Sequence, residues 1–558
     1  MDASAEEALS PKLRTQADII NQPNDIQSKR TEMMDLDALR AFNSEELRLR
    51  TLWNSSLPVN HLPNELLVGI FRLDAEEPMS EFPMSMRWVR LMLVCKYWRE
   101  VASTPTLWSN IAVSGSAAAW LDLCLVRSAE TTLRISLTKP TPEMIRHVAS
   151  YSTRIEAIAI YDPEHPPSNI TGDNLIPLEA PMPILHHLMV DGQAAFIDID
   201  LTSARYPVLR SLDLRFAAIV SDTNLYAGLR RLSLTACRYR DGPTLKQFSD
   251  ALRVATRLES LSISGVLVGV PNKGMPPGSP PLAFPHLADF YLEENLEDAR
   301  LFMTLIRLPH TCSIAVYGRS DGRIDEWEEI TISELLPRRD DTRSVALPML
   351  SSPTAVELIM NKGDYILHGT STTCGAIHLS ITSSPLANWE LFLEVGLRDV
   401  VHVCGAAPVR RLRVTGDHRA FSLAAAWRAV FEAFPMLDTL EVSGAGSPAG
   451  LWRGLRMAEP PITQSPGIGR AFAAACPNLR TVSVVQCVDG RSKTVSVQFF
   501  EAMLDCLRHR AKDDARLEAL HLTLSPGRED FDRLKHRYLS HVQELVEHVS
   551  YDVYDGVD

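Results

Sequence analysis

Ten times along this 558-residue chain one short pattern returns: an apolar residue, two others, a second apolar residue, one more, then a third. Clear copies are Leu209/Leu212/Leu214, Leu229/Leu232/Leu234, Leu258/Leu261/Ile263, Leu437/Leu440/Val442, Leu479/Val482/Val484 and Leu517/Leu520/Leu522. Looser ones are Ile155/Ile158/Ile160, Leu185/Leu188/Val190, Leu287/Phe290/Leu292 and Val409/Leu412/Val414. Successive starts lie 30, 24, 20, 29 and 29 residues apart up to Leu287, and 28, 42 and 38 apart from Val409 on. The last two apolar positions alternate with polar ones, which is the period of a half-buried strand. One such unit cannot bury its own apolar face, so the units must stack side by side. Leu212, Leu232, Leu261, Leu440 and Leu520 are accordingly predicted to be interior.

Helices are readable between several copies. Phe421 to Phe434 puts Leu423, Trp427, Val430 and Phe434 on one side, and Ser496 to Ala511 does the same with Phe499, Met503, Cys506 and Leu507. Helix, proline, then strand is the rhythm of a right-handed α/β solenoid. A last helix, about Asp530 to Val549, aligns Phe531, Leu534, Tyr538, Val542, Leu545 and Val549 and is expected to cap the array. The residues between the inward leucines should then line the concave sheet: Ser211, Asp213, Arg215, Arg231, Ser233, Ser260, Ser262, Arg411, Arg413, Glu441, Thr481 and His521. These are the candidate substrate-binding residues, with Arg231, Arg411 and Arg413 the candidate readers of an acidic or phosphorylated segment.

Composition excludes several classes. A net charge of −13 and a pI near 5.7 argue against a nucleic-acid-binding protein built on a basic surface. The nine cysteines form no C-x-x-C, so neither a zinc ribbon nor a disulfide framework is indicated, and reduced intracellular thiols are expected. No signal peptide and no stretch of eighteen apolar residues is visible, so no membrane partner is expected. Asn54-Ser55-Ser56 and Asn169-Ile170-Thr171 match the glycosylation acceptor pattern, which means nothing without secretion.

The block Leu57 to Ile111 has a different texture. Pro63 suits a first helical turn, and behind it Leu62, Leu66 and Ile70 fall at i, i+4, i+8 beside Leu67 and Phe71 at i, i+4. Trp88, Leu91, Cys95, Trp98 and Ala102 make a second apolar face, ended by Thr104–Pro105 and followed by Leu107 and Trp108. Three short amphipathic helices in about fifty residues bury little by themselves. The order L-P-x-E-L-L-x-x-I-F, then W-x-x-L-x-x-V-C-x-x-W-R-x-V-A, then S-T-P-x-L-W resembles the F-box, in the form common among fungal F-box proteins with leucine-rich repeats. The acidic insert Asp74 to Met86 departs from that family by lengthening a usually tight connection.

The resemblance implies a substrate-recognition subunit of an SCF-type cullin–RING ubiquitin ligase. The F-box would bind a Skp-type adaptor through Leu62, Pro63, Leu66, Leu67, Ile70, Phe71, Val94, Cys95, Trp98, Leu107 and Trp108, some of which must be internal core. The repeats would bind a protein substrate. Such a protein is not an enzyme, needs no cofactor or metal, and works in the cytoplasm or nucleus. The alternative is a repeat-based scaffold outside any ligase, with a small helical subdomain packing on its neighbours.

The expected fold class is α+β: a disordered stretch over 1–30, a leading helix over 31–56, the all-α F-box-like domain over 57–112, the leucine-rich-repeat-type solenoid over 113–549, and a tail over 550–558. Val266 to Pro285, with six prolines and three glycines, is expected to be a loop. Arg319 to Pro385 reads either as degenerate repeats or as an inserted β-rich piece. Two motifs carry remote chemistry. Gly318 to Gly322 fits the G-x-S-x-G of an α/β hydrolase with Ser320 as nucleophile, but the charged run that follows suits no supporting helix. Gly444 to Gly450 fits G-x-G-x-x-A, but Pro448 within it favours a flexible repeat loop over a dinucleotide site.

Overall fold

The computed structural model describes residues 36–75, 87–115, 117–161, 178, 180–192, 199–238, 245–267, 280–320, 330–337, 347–383, 389–419, 423–458, 475–487, 497–524 and 530–553. The expected disordered 1–30, most of the Asp74 to Met86 insert and most of the Val266 to Pro285 loop lie outside these residues. The chain divides into two compact units, 1–209 and 210–558.

The first unit opens with a helix Leu36–Ser56 that runs unbroken through Asn43-Ser44. The expected F-box helices follow with one correction. The face from Trp88 to Ala102 is not one helix but a 3-10 segment Arg87–Leu93 and an α-helix Lys96–Val101, broken at Val94 and Cys95. Cys95 is extended, and its sulfur accepts from the Trp98 N–H as a cap, so the residue that looked like a mid-face apolar restarts the helix instead. Behind the block, β1 (Asn110–Ser114), β2 (Leu133–Thr138), β3 (Ile155–Tyr161) and β4 (His187–Asp191) pair in parallel. Helices Ala118–Arg127 and Pro142–Ala149 bury their apolar faces between these strands.

In the second unit β5 (Ser211–Arg215), β6 (Arg231–Thr235) and β7 (Ser260–Ser264) continue the same rhythm. A minor pair, β8 (Leu282–Ala283) with β10 (Ile306–Arg307), stands apart from it. The main sheet goes on through β9 (Asp289–Asn295) and β11 (Ser313–Ser320). The ambiguous stretch after Arg319 then resolves as an inserted β piece: β12 (Ala355–Met360), β13 (Asp364–Thr370) and β14 (Ile377–Ser383) form an antiparallel meander. It enters the sheet backwards, with β14 beside β11 and β12 beside β15 (Arg411–Thr415). Both outer strands of the meander therefore run parallel to the repeats and only β13 opposes them. Parallel pairing resumes through β16 (Thr439–Ala445), β17 (Thr481–Cys487), β18 (Ala519–Leu524) and β19 (His548–Val553).

Each of the ten leucine patterns ends on a strand; in nine the first apolar residue lies just before it, and Ile155 is itself the first residue of β3. Leu212, Leu232, Leu261, Leu440 and Leu520 are buried, as the pattern requires. Helices Leu393–Cys404, Leu423–Ala433, Ala449–Met457 and Val497–Lys512 pack successively on one another as the layer beneath the sheet. The expected terminal cap is corrected. The last helix stops at Gln543, and the chain goes on into β19, which takes Val549 out of the helix face and into the sheet.

Turns repeat as regularly as strands. The residue after β1, β2, β5, β6 and β7 (Gly115, Lys139, Phe216, Ala236, Gly265) has a left-handed backbone. The first four N–H groups donate to the carbonyl of the last residue of the next strand in the sheet, and the Gly265 N–H donates to the Glu293 carbonyl within β9, all at 2.7–2.9 Å. One device thus ends five strands and stitches each turn to its neighbour.

Candidate functional site

The F-box block is built around rings. Trp88 and Trp108 meet edge to face at 5.1 Å, Phe71 lies 5.1 Å from Trp98, and Trp108 packs 5.7 Å from Trp120 under the Arg127 guanidinium. Trp108 donates its Nε1–H to the Ala102 carbonyl at 2.7 Å, so its polar tip is satisfied inside the core. Helix Asn64–Ala75 lies on the 3-10 segment Arg87–Leu93.

This packing separates the two stripes that the sequence placed side by side. Leu67 and Phe71 are fully buried, as are Leu107 and Trp108. Leu66 and Ile70, on the neighbouring stripe, are 55% and 45% exposed, and Val94 is 54% exposed. Pro63 is exposed, while Leu62, Cys95 and Trp98 are half-buried. Of the eleven candidate adaptor residues, four are thus interior and seven reach the surface. Leu73 and Leu93, 74% and 79% exposed, were not singled out, although Leu73 follows Ile70 by three residues on the same helix.

The face of the second unit's sheet that carries no helix among the described residues is a set of ladders. In the central one Asp213, Ser233, Ser262, Tyr291, Ala315, His378, His368, Glu357, Arg413, Glu441, Ser483, His521 and Ser550 stand opposite one another on successive strands. The parallel ladder two residues earlier joins Ser211, Arg231, Ser260 and Asp289, and farther along Arg411, Thr439 and Thr481. Arg215 follows Asp213 on β5, two residues along, with its guanidinium 3.5 Å from the carboxylate. The predicted surface residues all fall on this face and are partly or fully exposed.

The arginines differ among themselves. Arg413 is held by Glu441 at 2.8 Å and by Glu357 at 3.4 Å, and that anchoring raises its pKa further. A reader of acidic ligands would first have to leave those carboxylates. Arg411, on the same strand, is exposed.

The sequence reading missed the middle of the face. Tyr291 of β9, Tyr317 of β11, His378 of β14 and His368 of β13 form a continuous row of half-exposed rings, with centroids 5.2, 5.0 and 6.0 Å apart in that order. Ala315 is the small residue in the ladder there, and Tyr317, two residues along the same strand, supplies the ring that bridges Tyr291 and His378. At one end Glu293 accepts from the Tyr291 hydroxyl at 2.9 Å, from Ser264 at 2.9 Å and from Arg319. Burial pushes the Glu293 carboxyl up, but these bonds outweigh it and hold the group below its ordinary range. At the other end stand Glu357 and Arg413. Burial, and then the neighbouring His368, lower the His378 pKa, which keeps that imidazole neutral near pH 7. The row joins residues up to 87 positions apart, so only strand register could reveal it.

Neither remote chemical motif survives as chemistry. Ser320 is the last residue of β11, paired in register with Ser383, and not a residue on a strained turn. The Gly444 to Gly450 stretch is an ordered strand–turn–helix leading into Ala449–Met457, not a flexible loop. A Cβ on Gly444 would lie 1.8 Å from the Gly416 carbonyl oxygen, and one on Gly446 would meet Arg419. Those glycines are occupied in packing one turn on the preceding one. Among the described residues no helix is long and apolar enough to cross a membrane.

A family model described as F-box-like matches residues 59–114. None of the curated proteins matches the chain. Among solved structures, the leucine-rich repeat-containing protein LegL7 from Legionella pneumophila is similar at 12% identity, with a TM-score of 0.22 over 65% of this chain and 91% of that one. The repeat assignment rests instead on the strand registers and buried leucines above. Residues 59–114 are therefore an F-box-like domain, followed by a parallel sheet of leucine-rich-repeat type.

Proposed function

We propose that this protein is the substrate-recognition subunit of an SCF-type cullin–RING ubiquitin ligase, with no chemistry of its own. The observation that carries this reading is the split of the F-box stripes. Leu67 and Phe71 are spent on the domain's core, while Leu66, Ile70, Leu73, Leu93 and Val94 stay uncovered in a block that matches the F-box-like model. Large apolar side chains left exposed together are what a partner surface requires. The adaptor covers Leu66 and Ile70 with Pro63, Val94 and the half-buried Leu62, Cys95 and Trp98, and the open sheet face holds the protein substrate. Catalysis by such a receptor is proximity: it raises the local concentration of substrate beside the ligase.

The test is capture of a Skp-type adaptor by the full chain. Leu66→Asp with Ile70→Asp should abolish capture, because a charge left unpaired in a desolvated patch costs about 2–5 kcal/mol. Both side chains are exposed, so the double variant should keep its fold. A folded double variant that still captures the adaptor removes the assignment and leaves a repeat scaffold.

A further inference from the structure

We propose that the ring row Tyr291–Tyr317–His378–His368 docks an uncharged, proline-rich segment in polyproline II conformation, lying across the strands. The inference deepens the receptor reading by naming the class of substrate segment, and it rests on that reading only for calling the occupant a substrate.

Three observations point to this occupant. First, the row is the one run of contiguous aromatic and imidazole rings on the open face among the described residues, and half of it is supplied by the inserted meander. Elsewhere on the face the repeats present Ser, Thr, Asp, Glu and Arg, with His521 of β18 standing apart from the row. Second, the charges that flank the row are already matched, Glu293 with Arg319 and Arg413 with Glu441 and Glu357. A phosphorylated or acidic segment would find its counter-charges engaged, whereas an uncharged one has nothing to displace. Third, the spacings agree. Strands lie about 4.8 Å apart, so alternate strands recur every ~9.6 Å. A polyproline II segment rises about 3.1 Å per residue with three residues per turn, so one face recurs every ~9.3 Å. Every third residue can therefore meet every second strand along the whole row. A β-strand segment presents one face every ~6.8 Å and falls out of step at once. Polyproline II also leaves its carbonyls unbonded, and the imidazole N–H groups are donors within the row.

The experiment uses the full chain and a fluorescein-labelled decaproline, with a Gly/Ser decapeptide and a phosphoserine-bearing acidic decapeptide as comparison probes, read by fluorescence anisotropy. Decaproline should bind at least tenfold more tightly than either. Tyr317→Ala should weaken it about tenfold, the equivalent of ~1.4 kcal/mol and the scale of one lost ring contact, while Tyr317→Phe should stay within twofold. Equal binding of decaproline and the Gly/Ser peptide overturns the proposal. So does preferential binding of the phosphopeptide, an unaffected Tyr317→Ala, or a Tyr317→Phe as weak as the alanine variant. Tyr317 is half-exposed, and a melting temperature within a few degrees of the parent confirms that the variants are folded. Adaptor capture is read in parallel. Its absence with decaproline binding intact removes the receptor reading alone, and the converse removes the ring-row proposal alone.

Discussion

Two buried titratable side chains in the second unit pull its stability in opposite directions. Glu294 is 1% exposed; one carboxylate oxygen accepts from the Val266 and Leu267 N–H groups at 2.6 and 3.0 Å, and the other has no hydrogen-bond partner among the described residues. Burial, with the Asp298 charge behind it, pushes its pKa up from 4.5 to about 7. Between those values the folded chain holds a proton that the unfolded chain has lost. Stability from this group is full below pH 4.5 and falls as pH rises through 7, by about 3 kcal/mol. His418 does the reverse. It is buried over Trp427, and burial pushes its pKa down from 6.5 to about 4. The unfolded chain takes the proton first, so stability is full above 6.5 and falls by a similar ~3 kcal/mol as pH drops through 4. The two slopes nearly cancel between pH 4.5 and 6.5. Glu294→Gln should unmask the histidine: denaturant melts should show the variant about 1–3 kcal/mol more stable than the parent at pH 7.5, with an advantage that shrinks to nothing by pH 4.5. Parallel pH profiles for the two proteins would contradict this account.

At the scale of elements, the turns between strands set which glycines matter. Gly265 is left-handed with nothing nearer than 3.8 Å to an added Cβ, so Gly265→Ala should cost about 1 kcal/mol, from the backbone alone. Gly444→Ala meets a backbone carbonyl at 1.8 Å and must move two turns apart, so it should cost several times more. Leu440→Ala, in the strand before it, should cost about 2–5 kcal/mol. Chemical denaturation of the three variants gives the order directly. The strands that obey the leucine pattern were legible because burial on one face imposes a period of two behind a leading leucine. The meander was not. β12 and β13 alternate properly, with Val356, Leu358 and Met360 and then Tyr365 and Leu367 inward, but no leading leucine marks them. Their reversed entry into the sheet is a matter of connection, which no local pattern encodes. The F-box helices were legible as two adjacent stripes, and which stripe faces inward depends on partners far along the chain, such as Trp98 against Phe71. The break at Cys95 was hidden because a capping thiol and a core thiol have the same letter.

For the molecule as a whole, the balance of charge on the open face decides what kind of ligand it can select. The chain carries −13 overall, yet the open face interleaves Asp213, Glu293, Glu357 and Glu441 with Arg215, Arg319 and Arg413 in matched pairs. Exposed pairs of this sort contribute only about 0–1 kcal/mol each, because water screens them. Their consequence is selectivity: among the described residues neither pole of the face offers an uncommitted run of positive charge. Removing Arg231, Arg411 and Arg413 together, each to Ala, takes the net charge from −13 to −16 and leaves Glu357 and Glu441 without Arg413 between them. If these arginines read an acidic substrate segment, the triple variant should lose its captured substrates. If the rings at the centre read a proline-rich one, the triple variant should bind decaproline within twofold of the parent and capture the same adaptor, with its midpoint in urea lowered only slightly. The second pattern is the expected one, since Arg413 is already committed to Glu441 and Glu357 while Tyr317 and the two histidines face solvent. A triple variant that keeps its fold and its adaptor but loses decaproline would move the recognition from the rings to the guanidinium groups.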